Sequence, residues 1–405
     1  MNLVVIPFHD WKKCEREGFR TRDAHFMQEF EKHPLIDKLL VVNRPISLAE
    51  MALMRRNWRP REGTEVLQEN DICITQVSQK TYTLDILIRE FIKPLRMKRN
   101  WTPYIFGKPK VVTAVKMALD HLGIEKEYAL FMSAPIFVTL IEHLSPSAFA
   151  FDAQDNLLKH AFYKDITNLA AYYQFCLDEA DFISTNSAET AEWFKQQRPD
   201  SMHIPNGVDD QIFNPDLSFE TPADMNSISS PIVGYAGKMQ EMFDVSLMAH
   251  AALELPDVNF VFIGQELDSN WMKSLWRYPN TYYLGDKRYS KLPQYLASFD
   301  ICIIPYNLER QHGVDPIKFY EYLAMGKPIV TTNIGGAGVF RDYPQVRIAD
   351  TCDAFLDGLR YFTNQVQQNV GIPKSQLPET ILWRTKADII VKGILKAGSV
   401  SNLGK

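Results

Sequence analysis

No Cys-x-x-Cys pair occurs in the 405-residue sequence, and its five cysteines (Cys14, Cys73, Cys176, Cys302 and Cys352) leave one unmatched under any pairing. Neither a disulfide framework nor a zinc cluster is readable, which fits a reducing, cytosolic setting. Gly-x-Gly-x-x-Gly is absent, and so is the GxxxxGK[ST] loop, which excludes the two commonest phosphate-cradling fingerprints. There is no internal repeat and no low-complexity tract. The longest uncharged stretch, Tyr128 to Ile141, is too short to span a bilayer and contains Pro135. The opening residues, MNLVVIPFHDWKKCE, carry no basic leader before their apolar run, so they read as a first strand rather than a signal peptide. An excess of positive charge is also missing: the formal charge is −5, and no nucleic-acid partner is expected.

What is present is a long chain, 46% hydrophobic, with material for two or three domains. Short apolar runs recur: LVVIPF (3–8), KLLVVN (38–43), DICITQ (71–76), YALFMS (128–133), AFAFDA (148–153) and FISTNS (182–187). They lack polar alternation, as strands buried on both faces do. Helical patterns lie between them, including a long one from about Leu157 to Asp178. After a Pro-, Ser- and Asp-rich stretch (214–231) a second series follows: IVGYAG (232–237), NFVFIG (259–264), TYYLG (281–285), ICIIPY (301–306) and PIVTT (328–332). Alternating strands and helices imply parallel sheets covered on both faces. The expectation is an α/β chain of two doubly wound, Rossmann-like domains facing across a deep cleft: 1–210, then 211–379, with a C-terminal helix (380–405) packed back on the first. Ligands of such sheets sit at the carboxyl ends of the strands.

The segment HGVDPIKFYEYLAMGKPIVTT (312–332) carries the most chemistry. Asp315 reads as an N-cap, Pro316 as the first helical residue and Gly326 as the C-terminal stop. Ile317, Tyr320, Leu323 and Ala324 form the expected packed face, so Lys318 and Glu321 should project from it. A lysine in the first turn opposes the helix dipole unless an anion lies in front of the helix. Glu321, one turn on, suits vicinal hydroxyls of a ribose. The segment thus reads as a nucleotide-diphosphate site, against the plainer reading of a surface i,i+3 ion pair. Gly237 and Lys238, directly after the first strand of the second series, supply a close backbone approach and a second cation.

Taken together, IPNGVDDQIFNP (204–215), GYAGKMQEMFD (234–244), LGDKRYSKLPQYLASFDICIIPY (284–306), DPIKFYEYLAMGKPIVTT (315–332) and ISTNSAETAEWF (183–194) resemble GT-B-fold glycosyltransferases of the bacterial exopolysaccharide and teichuronic-acid type. The resemblance runs over roughly residues 150 to 345 and implies a hexosyltransferase-like enzyme. Its donor would be a nucleotide-diphosphate sugar, UDP-linked by family habit. Its acceptor would be a saccharide or lipid-linked saccharide of cell-surface polysaccharide synthesis. Retaining members carry two glutamates separated by seven residues. Glu321 matches the second, whereas the first falls on Gly313, with Asp315 as a replacement; the donor helix is in this respect similar to that of the xanthan glucuronosyltransferase subgroup. Metal-free members stabilise the leaving diphosphate with cations and helix N-termini, so neither metal nor cofactor is expected, and Gly237, Lys238, Asp315, Lys318 and Glu321 are the donor-site candidates.

A base for the acceptor hydroxyl would come from the first domain. Asp152 and Asp155, in FDAQDNLLKH, match the family's Asp-rich loop; Asp155 or Asn156 alternatively caps the next helix. The loop after the first strand offers His9, Asp10, Arg20, Arg22 and His25, with Arg22 and His25 similar to an Arg-x-x-His pattern; capping and surface charge explain them equally. Between Leu84 and Lys116 eight cations mix with Trp101, Tyr104 and Phe106 against only Asp85 and Glu90. This is a solvated basic face, or a surface for an anionic acceptor or for anionic lipid, the last of which would place the protein peripherally on the inner face of the plasma membrane. A nucleotide-sugar epimerase on the same double-Rossmann plan, and a non-catalytic interaction subunit that keeps the fold, are the competing classes.

Overall fold

The structure is a computed structural model that describes residues 1–307, 309–310 and 314–401. Gly313 therefore lies outside the described residues. The chain divides into two units: Met1–Ile204 together with the chain from Trp383 onward, and Pro205–Leu382.

The first unit is built on one sheet. Its strands are β1 (Asn2–Ile6), β2 (Lys38–Val42), β3 (Ile46–Ser47), β4 (Thr64–Glu69), β5 (Ile72–Gln76), β6 (Thr81–Ile88), β7 (Ala129–Met132), β8 (Ala148–Ala153), β9 (Phe182–Thr185) and β10 (Met202–His203). The order is β10-β9-β8-β7-β1-β2-β6-β5-β4, with β3 beside the end of β6. From β10 to β6 every pairing is parallel. The apolar runs of β1, β7 and β8 sit in the middle, buried on both faces.

Three expectations change here. DICITQ is not another parallel strand: β5 pairs antiparallel with both β4 and β6. Asn70 at φ 48° explains the reversal, because asparagine tolerates the left-handed turn that joins β4 to β5. β6 was not anticipated, since its second half begins the basic segment. The helix expected over 157–178 is confined to Leu169–Glu179, and Asn168 at φ 64° marks its start. The terminal helix, Trp383–Ser401, packs on the helix Arg22–Lys32 and on β8.

The basic segment is likewise divided. Its first part is an exposed short helix, Ile92–Met97. Trp101 and Phe106 are core residues rather than interfacial aromatics, because they close over the helix Pro109–His121 and the turn at Phe137. Arg89 and Lys110 both pair with Asp71, at 2.8 Å each.

The second unit carries a six-stranded, wholly parallel sheet: β11 (Ile232–Ala236), β12 (Asn259–Ile263), β13 (Thr281–Tyr283), β14 (Ile301–Ile304), β15 (Ile329–Thr332) and β16 (Val346–Ala349), in the order β13-β12-β11-β14-β15-β16. β16 escaped sequence reading because VRIA is short and half-exposed. The reversal between β12 and β14, on either side of β11, is a topological switch point, and Gly237 follows β11 directly. Among the described residues no helix is long and apolar enough to cross a membrane.

Candidate functional site

The helix Ile317–Ala324 is buried along Phe319 to Ala324 and ends where expected. Gly326 adopts φ 62°, and Lys327 N–H bonds the Tyr322 carbonyl at 3.0 Å. Its start differs from expectation. Pro316 is the residue before the helix, and Asp315 makes no side-chain cap. The Asp315 carboxylate is instead buried, accepting from the Tyr320 hydroxyl at 2.8 Å and from the Asn206 backbone N–H, while Asn206 Nδ2 donates to the Asp315 carbonyl. A Cβ on Gly336 would strike the same carboxylate, which fixes the loop there to glycine. Asp315 therefore holds two loops together. A direct sugar contact does not fit a carboxylate so placed.

Lys318 is half-buried and leans over the strand end. Its Nζ donates to the Tyr306 hydroxyl at 2.7 Å and lies 5.1 Å from the ring centres of both Tyr235 and Tyr306. No carboxylate pairs with it among the described residues. Gly237 is beneath it: a Cβ there would come within 2.7 Å of Nζ and 3.1 Å of the Tyr235 hydroxyl. The Gly237 loop is tightly supported. Its N–H bonds the Ile263 carbonyl at 2.8 Å, and Gly264, at φ 134°, packs against the Gly237 backbone so closely that no side chain fits. Lys238 is half-buried next to it, its carbonyl accepting from Tyr235 at 2.9 Å.

Glu321 does not project. It is 4% exposed, and the Tyr289 hydroxyl donates to Oε1 at 2.6 Å. Burial, with the Glu321 charge beside it, drives the Tyr289 phenol well above its ordinary value, so the hydrogen bond keeps its proton. The i,i+3 surface ion pair is thereby ruled out: Lys318 and Glu321 face different partners. Tyr306, Tyr289 and Gly264 were not singled out in the sequence, although the first two lie in segments that were.

In the first unit the carboxyl ends of β1 and β8 gather most of the other candidates. Asp152 is fully buried. Arg22 grips it through Nε and Nη2, both at 2.8 Å, and Ser184 Oγ donates at 2.7 Å. Arg22 is itself buried and stands 4.7 Å above the Phe26 ring. This bidentate pair leaves Asp152 no room to act as a base; it is a structural ion pair. His25 is corrected likewise: buried, stacked on Trp383 at 4.8 Å, with burial and the Lys32 charge lowering its imidazole to about 3. Asp10 caps the helix Trp11–Glu17, accepting from Lys13 N–H at 2.9 Å, and Arg20 lies 3.8 Å from Glu17. Both are local fixtures.

Asp155 stands apart. Its side chain is exposed just beyond β8, yet enough protein crowds around it to raise its carboxyl above the ordinary value, more than His160 and His9 lower it. Next to it is an arrangement that sequence reading missed. His9 Nδ1 lies 2.9 Å from Asp23 Oδ2, and Asp23 also accepts from the His9 N–H, the Phe8 N–H and Gln154 Nε2. Burial would raise the Asp23 carboxyl, but the His9 contact outweighs it and keeps it low. A buried carboxylate thus orients a partly exposed imidazole. Asp23 gave no signal in sequence because it sits inside a helix, one residue from the Arg22 that drew attention.

Residues 230–363 match the family model for glycosyl transferases group 1. Over 134 residues the chain is 28% identical to TuaH of Bacillus subtilis (strain 168), whose name assigns it to teichuronic acid biosynthesis as a glycosyltransferase. That match spans 32% of this chain and 34% of the relative, about a third of each. Among solved structures, sucrose-phosphate synthase from Thermosynechococcus elongatus superposes with a TM-score of 0.59 at 12% identity, covering 100% of this chain and 98% of the other. Anabaena HepE, solved in complex with UDP-glucose, gives 0.55 at 14%, with the same coverage. At such identities the likeness is one of fold, and it bears out the expected GT-B architecture of two Rossmann-like units. The chain is a GT-B-fold protein whose second unit, over residues 230–363, is similar to glycosyl transferases group 1.

Proposed function

We propose that the chain transfers a sugar from a nucleotide-diphosphate sugar, UDP-linked, to a saccharide or lipid-linked saccharide acceptor in bacterial cell-surface polysaccharide synthesis. The observation that carries this reading is the Lys318 ammonium, which pairs with no carboxylate among the described residues and is held over Gly237, at the start of a helix and the end of β11. A diphosphate entering there meets a cation, backbone N–H groups and the positive end of a helix dipole together. Lys318 and Lys238 would neutralise the charge that develops on the leaving diphosphate, the role a divalent ion fills elsewhere. Glu321, steadied by Tyr289, would receive the ribose hydroxyls. UDP is favoured by the UDP-glucose complex of the similarly folded HepE.

On the acceptor side Asp155 would take the hydroxyl proton as the new glycosidic bond forms and the diphosphate leaves, with His9 and Asp23 fixing the charge around it. A carboxyl that is accessible and raised is better matched to that task than the gripped Asp152. The acceptor context rests on the similarity to TuaH and on the fold, and the site of action would be the cytoplasmic face of the membrane.

Labelled UDP- and GDP-sugars offered with free and lipid-linked saccharides, in the presence of EDTA, test the reading. Label should move to an acceptor despite chelation, and Asp155→Asn should lower transfer by about 10²–10⁴ while leaving UDP binding intact. Epimerised donor without transfer would support an epimerase, and loss of transfer in EDTA with recovery on added magnesium would overturn the cationic mechanism.

A further inference from the structure

Two short helices of the first unit, Leu48–Met54 and Ile92–Met97, lie in contact although some forty residues separate them in sequence. Together they leave a group of large apolar side chains in solvent: Ile92 is 77% exposed, Leu53 61% and Met54 58%, with Phe91 and Leu95 nearly half exposed. Single exposed apolar residues are ordinary, but a cluster drawn from two elements marks a contact surface. Neither helix alone reveals it, because each contributes only part.

The carboxylates near the cluster, Glu50, Asp71 and Asp165, are each held by an arginine, and apart from Glu90 beside Phe91 the remaining charge is positive. Arg55, Arg96 and Lys98 are exposed and pair with no carboxylate among the described residues. Arg56, Arg89 and Arg99, by contrast, are paired with Glu50, Asp71 and Asp165. Lys93, also exposed, rests over the Tyr104 ring. From Phe91 to Arg99 the chain reads FIKPLRMKR, four cations and no acid. A protein partner would have to bury these cations against matching carboxylates. An anionic bilayer accepts both parts at once, because long cationic side chains reach the phosphate level while the apolar group enters the acyl boundary.

We propose that this face docks the protein on an anionic lipid bilayer, with Leu53, Met54, Ile92 and Leu95 inserted and Arg55, Arg96 and Lys98 at the headgroups. The purpose, reaching a lipid-linked acceptor, rests on the functional reading above; the geometry does not. Each cation at such a surface strengthens partitioning about fivefold.

Flotation with phosphatidylglycerol-containing and pure phosphatidylcholine vesicles tests it on the full-length protein. Binding to the anionic vesicles alone is expected, with most of it lost at about 0.5 M salt, where screening is nearly complete. Arg96→Glu with Lys98→Glu should lower the partition coefficient at least 25-fold at low salt. Leu53→Ser with Ile92→Ser should remove the fraction that resists salt. All four positions are exposed, so unchanged melting temperature and UDP affinity are expected, and UDP affinity reads the second unit independently. Equal binding to both vesicle types, or no effect of either pair, would overturn the proposal while leaving the donor site standing. Concentration-dependent dimerisation without lipid that Ile92→Ser abolishes would replace the bilayer by a second copy of the chain.

Discussion

Gly237 and Lys318 come from separate segments of the second unit and meet at one point, and the meeting explains both residue types. Lys318 needs the space that a side chain at 237 would fill. Gly237→Ala should therefore fold normally, because the obstructed atoms are the flexible end of a lysine. It should still weaken UDP binding roughly tenfold or more by pushing the ammonium aside; unchanged affinity would show that Lys318 does not face the phosphates. The two aspartates at the end of β8, Asp152 within it and Asp155 beyond it, separate in the same way. Asp152→Asn breaks a buried bidentate pair and should cost about 3–5 kcal/mol of stability, read by denaturant unfolding. The sequence places two carboxylates at the end of this strand but does not tell which one is spent on Arg22, since that depends on a helix more than a hundred residues away. The sequence located Gly237 after a strand and Lys318 in a first helical turn because such patterns are local, whereas the expected Asp315 cap and outward Glu321 are overruled by packing. Tyr306, Tyr289 and the His9–Asp23 pair were not, because their partners are set by tertiary packing.

At the scale of elements, the second unit was read more completely than the first. Its strands are short, mostly apolar and parallel, and each ends in glycine, proline or a polar turn. The first unit deviates where the sheet changes direction at β5, and periodicity carries no information about strand polarity. The terminal helix gives a test of its own. Its Trp383 stacks on His25, whose imidazole is held at about 3 against an ordinary 6.5. The unfolded chain takes up a proton near pH 6.5 that the fold admits only near pH 3, so stability should fall as pH drops through that window. His25→Phe keeps an aromatic stack and removes the titrating group. Its melting temperature should decline less steeply than that of the wild type between about pH 6.5 and 4.5. Equal slopes would mean that His25 is protonated in the fold.

On the scale of the whole molecule, the chain spends its chemistry unevenly. The second unit presents a lysine with no carboxylate partner among the described residues, a bare backbone loop and a steadied carboxylate at the switch point of a parallel sheet. At the carboxyl end of its sheet the first unit binds Arg22 to Asp152 and His9 to Asp23, and leaves Asp155 exposed. Such a division suits a donor held by one unit and an acceptor activated by the other. The central claim is that Lys318 receives the diphosphate, and calorimetric titration of UDP into wild type and Lys318→Met tests it most directly. A charge-assisted contact of this type contributes about 1.5–3 kcal/mol, so the variant should bind UDP some ten- to more than a hundredfold more weakly while melting at the wild-type temperature. Equal UDP affinity in the two proteins would contradict it.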